Sequence, residues 1–448
     1  MASVPRLPRD RRWVARVMVL AVLASMPIIP GATVAAEDPT DMVLDWNLNA
    51  INAIGNAPTA ATPGLGQPPP LAPIHLAMVH GAIYDAVNAI DGAHEAYLDG
   101  LPAVSATASK AAAVATAARD VLLALATASP AVTASVEALY VASLAEIDAS
   151  ADKDAGIAIG HAAAAAMLLD RMGDGRFGSL AFTAGTEPGE WRLVPPLSNN
   201  VFAWISQVRP FTLNSPDQLR TEGPPALTSA QYAAEFNEVK ALGAQTGSSR
   251  TEAQSSLAAF VSSNPFPMMN RAMREIAAAQ GLSTTEQALL FVRTSMSTAD
   301  SLIACWNNKV HWSNWRPYTA IREAANDGNP DTAPDPNWVS LIPAPGYPDN
   351  PSGYNCLTAG MFQAARFYFG TDRMSFSLTS SGVPVGPGVP VALPGSTRTY
   401  TRFTDIIRDA IDGRMLNGLH FRSADVQAAW IGKKAAQWLD KHYFEAVD

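Results

Sequence analysis

The segment Lys309-Val-His-Trp-Ser-Asn-Trp-Arg316-Pro317 carries two cations seven residues apart in a largely aromatic stretch. Seven residues are nearly two turns of an α-helix, so on a continuous helix both side chains project from one face. Two like charges held together cost free energy unless an anion lies between them. Because the aromatic, imidazole and proline neighbours make a poor solvent-exposed face, the segment favours an anion site over a solvated basic stripe.

A second motif, Pro351-Ser352-Gly353-Tyr354, follows a Pro-rich loop and opens a predicted helix. Ser and Gly at a helix start leave backbone N–H groups free to point at an oxyanion, and the helix dipole adds to the attraction. Taken alone, the motif is better explained as an ordinary helix N-cap.

The third motif, Arg414-Met-Leu-Asn-Gly-Leu-His420, contains Gly418, which predicts a break between two helices. Arg414 then ends one helix and His420 precedes the next. An imidazole beside a cationic cluster is suited to be a nitrogen ligand or a nucleophile. On its own, this histidine would be better explained as a structural residue.

Taken together and in this order, the three motifs resemble the signature of the vanadium-dependent haloperoxidases and type 2 phosphatidic acid phosphatases. The chain is more similar to the soluble, haloperoxidase-like branch. The resemblance extends from about residue 70, with His80-Gly-Ala-Ile-Tyr-Asp-Ala-Val-Asn-Ala, through Arg209-Pro-Phe and Pro224-Pro-Ala-Leu, to the end. It implies an all-α fold, a helical bundle with long Pro/Gly-rich loops and the site between helices in its core.

The resemblance also implies a role for each motif residue. The oxygens of vanadate or phosphate would be bound by Lys309, Arg316, Ser352, Gly353 and Arg414. His420 would be the ligand to vanadium in a peroxidase, or the nucleophile that attacks phosphorus in a phosphatase. Trp306 and Tyr347 match positions where relatives carry aromatic residues near the halide, although the family pattern has Phe at the second position.

Tyr354 departs from the family pattern, which has an acid–base histidine at this place. A phenol with a pKa near ~10 donates a hydrogen bond but shuttles protons poorly at neutral pH. Losing such a group lowers turnover by ~10²–10⁴-fold, while oxyanion binding can persist. His311 is a poor substitute, because on a helix it points about 200° away from Lys309.

A second departure concerns the group that orients His420. Phosphatase relatives place an Asp four residues after the nucleophilic histidine, whereas this chain has Ala424 there and Asp425 one residue further on. Asp425 is therefore the candidate to orient His420.

The resemblance implies an enzyme, and three functions stay open. The leading hypothesis is a vanadate-dependent haloperoxidase-like oxidoreductase that oxidises halide or a small organic nucleophile with hydrogen peroxide. The alternative is a secreted acid phosphatase that needs no cofactor and acts on phosphate esters through a phosphohistidine. The third is a low-activity oxyanion-binding homologue, for which Tyr354 is the main argument. Activity with vanadate, peroxide and bromide, against an aryl phosphate, discriminates among them.

The N-terminus predicts a secretory signal over residues 1–36, with a basic start, an apolar run and cleavage after Ala36. This indicates a secreted or periplasmic protein. The segment carries five Arg and one Asp, so the remaining chain has a net charge of −13 against −9 for the whole. Such a charge argues against nucleic acid and anionic lipid as partners. No later stretch is long and apolar enough to predict a membrane span, and the oligomeric state stays open.

Residues 37–448 are predicted to form one helical domain, with the oxyanion site drawn from 305–425. Apolar residues at helical spacing predict helices over 41–60, 71–97, 104–128, 131–149, 151–173, 229–243, 251–264, 269–280, 284–326, 353–369, 401–416 and 423–445. Ser423 is a predicted N-cap for the last helix. Residues 184–228 and 327–351 predict long ordered loops, and 378–398 a hairpin or loop.

Two further pairs of residues are candidates for a metal site and for a disulfide. His75 and His80 lie off a single helix face and are predicted to be core histidines rather than metal ligands. Cys305 and Cys356 each lie one helical turn from a proposed site residue, so convergence on one anion would bring the two sulfurs together. The spacing thus permits a disulfide but does not require one.

Overall fold

Helices make up most of the chain that the computed structural model describes, which is residues 41–57, 67–126, 129–195, 200 and 202–447. Within these ranges lie thirteen α-helices: α1 (Met42–Asn56), α2 (Ala72–Asp91), α3 (Lys110–Leu125), α4 (Pro130–Ala145), α5 (Ala151–Asp170), α6 (Ala230–Leu242), α7 (Glu252–Phe260), α8 (Pro265–Ala279), α9 (Thr284–Trp312), α10 (Pro317–Glu323), α11 (Gly353–Tyr368), α12 (Phe403–Leu416) and α13 (Arg422–His442). The predicted all-α class is confirmed.

Helix α9 is the axis of the bundle and is buried along most of its length. It begins with a capping box in which the Ser283 hydroxyl accepts from the Glu286 backbone N–H and the Glu286 carboxylate accepts from the Ser283 N–H. Helices α2, α11 and α13 pack around it, and α11 also packs along α13. This arrangement sets the C-terminal end of α9 beside the start of α11 and the start of α13.

The Ala-rich helices α3 and α5 pack closely because small side chains let their backbones approach. At Gly156 an added methyl group would lie 2.2 Å from the Ser109 carbonyl oxygen, so glycine is required there. Ser109 also caps α3 by accepting a hydrogen bond from the Ala112 N–H. The alanine periodicity in the sequence therefore reflects tight packing.

The predicted hairpin or loop, 378–398, connects the two strands of a short antiparallel sheet, β1 (Arg373–Thr379) and β2 (Thr397–Arg402), with Phe376 opposite Tyr400. A short 3₁₀ helix over Ala203–Gln207 lies within the segment 184–228 that was predicted as a loop. No helix in the described ranges is long and apolar enough to span a membrane. The predicted signal segment lies outside the described residues, and the single-domain division stays a prediction.

Two local predictions are wrong. The segment 284–326 is not one helix, because α9 ends at Trp312, Ser313 adopts a left-handed conformation with φ of 39°, and α10 begins at Pro317. Ser423 does not cap α13, since Phe421 precedes the helix and the Ser423 hydroxyl donates to Glu235 Oε2 at 2.7 Å. The break at Gly418 is confirmed, with a φ of 73°.

Candidate oxyanion site

The three motifs meet at one buried place in the bundle. Lys309 lies in the last turn of α9, and Arg316 lies just before α10. Ser352 precedes α11, and Gly353 is its first residue. Arg414 lies in the last turn of α12, and its guanidinium carbon is 4.9 Å from the centre of the Tyr354 ring. The motif side chains are buried, with Lys309, Arg316 and Ser352 fully inaccessible.

Lys309 and Arg316 converge across a turn, which corrects the prediction of one helix face. Lys309 Nζ donates to the carbonyl oxygens of Pro348 at 2.7 Å and Asp349 at 3.0 Å. Arg316 donates to the same Pro348 oxygen at 3.3 Å and to the Tyr347 oxygen at 2.9 Å. The carbonyls of one loop thus hold both cations in place.

His420 is oriented by Asp349, a residue that the sequence analysis missed. The Nδ1 atom lies 2.6 Å from Asp349 Oδ1, and Nε2 lies 3.3 Å from Arg316 Nη1. Since a guanidinium only donates, Nε2 must accept and Nδ1 must carry the proton. The Nε2 lone pair therefore faces the cations. Burial and the charges of Arg316, Lys309 and Arg414 hold the pKa of His420 well below its usual value, which keeps the ring neutral.

The prediction that Asp425 orients His420 is not what the structure shows. Asp425 Oδ1 instead accepts a hydrogen bond of 2.8 Å from Asn355 Nδ2, on the first turn of α11. Asp349 could not be found by spacing, because it lies in the Pro-rich loop, which has no helical period. Its only signal is its place three residues before Ser352.

Buried charge shapes the electrostatics of the site. Burial lowers the pKa of Lys309 to about 8, an effect strengthened by Arg316 and opposed by the nearby thiols and Asp349. Burial also raises the pKa of Asp349 to about 7, although Arg316 and Lys309 pull it down. Three buried cations with one close carboxylate leave the site positive, which suits a polyanion.

Several donors remain for such a ligand. Lys309 Nζ has three protons and uses two, and Arg414 Nε has no hydrogen-bond partner among the described residues although it is buried. The backbone around Gly353 is close to Trp306, since a methyl group at Gly353 would lie 2.9 Å from its ring. The unused Lys309 proton, the unpartnered Arg414 Nε and the imidazole lone pair fit a tetrahedral oxyanion such as vanadate or phosphate.

A cavity of about 330 Å³ leads to this cluster. Its walls are mostly apolar and include Trp306, Tyr347, Tyr354 and Leu357, with Arg414 at the polar side. The rings of Trp306 and Tyr347 lie 5.2 Å apart, and both flank the Lys309 ammonium within 6 Å, at 5.6 Å and 5.2 Å. The predicted aromatic shell is therefore next to the predicted cations.

The other candidate residues lie elsewhere or behave differently. His311 is exposed, which agrees with its exclusion. His75 and His80 are buried, and no group of three potential metal ligands occurs in the part of the chain described. Cys305 and Cys356 are free thiols, so the disulfide is absent here, although the two side chains are neighbours and Cys305 helps to raise the pKa of Cys356.

The part of the chain that contains the three motifs is similar to a known protein family. Residues 289–448 match a family described as the VCPO second helical-bundle domain. The vanadium chloroperoxidase of Curvularia inaequalis is 31% identical over 98 residues, which cover 20% of this chain and 15% of that protein. The match therefore spans well under two thirds of that relative's length.

Solved structures share the fold over almost the whole chain. The first bacterial vanadium-dependent iodoperoxidase superimposes with a TM-score of 0.73 at 21% identity, covering 92% of this chain and 100% of that one. A holo-type bacterial vanadium-dependent chloroperoxidase superimposes with a TM-score of 0.67 at 17% identity, covering 92% and 98%.

The chain therefore has the helical-bundle fold of solved vanadium-dependent haloperoxidases. Residues 289–448, which contain all three motifs, are similar to the VCPO second helical-bundle domain.

Proposed function

We propose that the chain is a vanadate-dependent haloperoxidase-like oxidoreductase, which oxidises halide or a small organic nucleophile with hydrogen peroxide. The proposal rests on the position of the His420 imidazole. Its Nδ1 is held by Asp349 and its Nε2 lone pair faces a cluster of buried cations. A fixed neutral imidazole of this kind is a suitable metal ligand.

Vanadate would be held at His420 Nε2, with its oxygens on Lys309, Arg316, Arg414, Ser352 and the Gly353 N–H. When bound, it would supply a Lewis-acidic centre that activates hydrogen peroxide toward a nucleophile. The residues of the chain fix this group and neutralise its charge in a site from which bulk water is excluded. Because the site is buried, its low dielectric constant strengthens each of these electrostatic interactions.

The aromatic cavity supports a halide or organic substrate. Trp306 and Tyr347 present ring faces and edges beside the Lys309 ammonium, and prolines and leucines complete an apolar wall. Large, weakly hydrated halides and apolar molecules enter such a cavity at a lower desolvation cost than strongly hydrated anions. Bromide, iodide and small aromatic compounds are therefore the proposed substrates, and export of the chain through its N-terminal segment belongs to the same proposal.

An acid phosphatase is the second candidate, and the His420–Asp349 pair favours it specifically. An imidazole whose Nδ1–H is held by a carboxylate is arranged to attack through Nε2. The leaving group would need an acid, and Tyr354 is poorly suited because burial raises the pKa of its phenol further above 10. Aryl phosphates, whose leaving groups need little protonation, should then be better substrates than alkyl phosphates.

The two functions separate in one assay series on the purified protein. Vanadate, hydrogen peroxide and bromide or iodide should give halogenation of a phenol reporter that requires vanadate and is lost in His420→Ala. Phosphate-ester hydrolysis without vanadate, also lost in His420→Ala, would instead support the phosphatase. If neither activity occurs but vanadate still binds, the chain is an oxyanion-binding homologue and the proposed oxidation is wrong.

A further inference from the structure

Asp425 is a carboxyl group in the site without an assigned task. It is fully buried, and Oδ1 accepts the 2.8 Å hydrogen bond from Asn355 Nδ2. Oδ2 has no hydrogen-bond partner among the described residues and is equally inaccessible. Burying an ionised carboxylate oxygen without a hydrogen-bond donor costs free energy of folding. A neutral carboxyl instead has a proton of its own to donate.

The surroundings of Asp425 connect it to the oxyanion cradle. Asn355 Nδ2 also lies 3.4 Å from Ser352 Oγ, and the Ser352 N–H donates to the Ala424 carbonyl at 3.0 Å. The Ser352 hydroxyl is close enough to Asp425 to lower the pKa of that carboxyl. The start of α13 therefore contacts the start of α11 at the residue proposed to bind the anion.

The charged groups around Asp425 do not compensate a negative charge on its carboxyl group. Arg414 on α12 lowers its pKa, Asp349 in the loop before α11 raises it, and burial has the largest effect, which raises it well above the usual value. No ion pair within 4 Å joins Asp425 to a cation in the described ranges. His420, by contrast, has its own carboxylate in Asp349.

We propose that Asp425 is a positioning residue of the oxyanion cradle, which in its neutral form holds the Ser352 hydroxyl toward the bound anion and on ionisation weakens that binding. A neutral carboxyl donates to Ser352 Oγ, so the serine proton is left for the anion. An ionised carboxylate accepts that serine proton instead and places a negative charge near the anion. The inference rests on the proposed function only in assuming an oxyanion at this site.

The experiment is a calorimetric titration of the purified full chain with tungstate, a tetrahedral dianion whose own charge stays constant from pH 6.5 to 9. Asp425→Asn is the main variant, since an amide can donate to Ser352 but cannot ionise. Asp425→Leu removes both the charge and the donor. Asp409→Asn is the matched control, because Asp409 lies on α12 and pairs with Tyr400 and Arg398 outside the site.

Asp425→Asn should bind tungstate as tightly as wild type near pH 6.5 and more tightly at higher pH, with the ratio growing by up to about tenfold per pH unit. Asp409→Asn should follow wild type. Asp425→Leu should lose the same pH dependence yet bind more weakly than Asp425→Asn at every pH.

Two results overturn the inference while leaving the proposed function intact. One is a ratio of affinities between wild type and Asp425→Asn that does not change with pH. The other is equal tungstate affinity for Asp425→Leu and Asp425→Asn, which would show that the donor to Ser352 does nothing. If Asp425→Asn does not fold, Asp425→Leu takes its place. Tungstate affinity that depends on pH in Asp425→Leu as it does in wild type would then overturn the inference. Absence of tungstate binding by wild type would overturn the proposed function as well.

Discussion

Tyr354 is the residue at which the site departs most from the pattern of the family that it resembles. Its ring packs over Arg414, and its hydroxyl is buried with no hydrogen-bond partner among the described residues. Burial raises the pKa of this phenol, so it holds its proton at neutral pH. Tyr354→His should therefore raise turnover, by up to ~10²-fold, while oxyanion affinity changes little, because imidazole titrates near the working pH.

Steady-state rates with vanadate, peroxide and bromide, or with an aryl phosphate, measure this effect. Tyr354→Phe is the control and should keep wild-type turnover if the hydroxyl takes no part. A fully active wild type that loses rate in both variants would show that Tyr354 is a working donor.

Asp349 should matter for turnover more than for anion binding. In Asp349→Asn the amide cannot hold the Nδ1–H tautomer of His420 reliably, so Nε2 is no longer fixed as the acceptor. Turnover is expected to fall by about 10²-fold, whereas tungstate affinity should be kept because the three cations remain. Asp409→Asn serves as the comparison and should have wild-type rates. Equal turnover in wild type and Asp349→Asn would remove Asp349 from the mechanism.

The buried charge of Lys309 predicts a pH-dependent stability. Its pKa is about 8 in the folded chain against a usual 10.5, so between these values the folded state binds fewer protons than the unfolded state. The free energy of unfolding should then rise with pH over that window, by up to about 3 kcal/mol, relative to Lys309→Met. Urea unfolding of both proteins at pH 7.5 and 10 measures the difference. Parallel pH profiles would contradict it.

The helices were predictable from the sequence, whereas the turns that build the site mostly were not. Helical period located α2, α9, α11 and α13, and Gly418 indicated the break before His420. Helical spacing alone predicted that α9 continues beyond Trp312, because the aromatic residues that follow keep that spacing. In the structure Ser313 turns the chain instead. Lys309 and Arg316 still converge, since loop carbonyls rather than a shared helix face align them. Such long-range acceptors leave no local sequence pattern.

The contact between α9 and α11 predicts an effect of Gly353→Ala. The added methyl group would lie 2.9 Å and 3.0 Å from two carbons of the Trp306 ring, so that ring must move. A loss of about 1–3 kcal/mol in unfolding free energy and weaker tungstate binding are expected. Gly55→Ala on α1 is the control, since nothing lies within 4 Å of its added methyl group. Equal behaviour of the two variants would mean that the cradle tolerates a side chain.

For the whole molecule, the sequence was sufficient for fold class and for the three cationic motifs, but not for the hydrogen-bond network that supports them. Asp349 and Asn355 are examples, because each acts on a residue far along the chain or on another helix. Their function depends on packing of α9, α11 and α13, which spacing within one segment does not encode. The site is therefore a product of the whole bundle, and its occupancy should be coupled to the stability of the fold.

Binding of an oxyanion should therefore raise the stability of the fold. Vanadate at a hundred times its dissociation constant should stabilise the folded chain by about 2.7 kcal/mol, seen as a higher melting temperature. Arg316→Ala and Arg414→Ala should each remove most of this shift. Their effects without vanadate should differ, because Arg316 donates to the carbonyls of Tyr347, Pro348 and Leu419. Arg414, whose Nε lacks a partner in the described part of the chain, makes one such bond, of 3.4 Å to Val261.

Arg316→Ala should therefore lower the melting temperature of the vanadate-free protein more than Arg414→Ala does, since it removes the Arg316 donor from the carbonyls of Tyr347 and Leu419, while Pro348 keeps its bond from Lys309. Arg271→Ala, at an exposed pair with Glu275, is the control and should keep the full vanadate shift. Thermal melts of the four proteins with and without vanadate test the prediction. A wild type without any shift would refute the oxyanion site. A full shift in Arg414→Ala would show that the anion is held by α9 and the loop before α11, without α12.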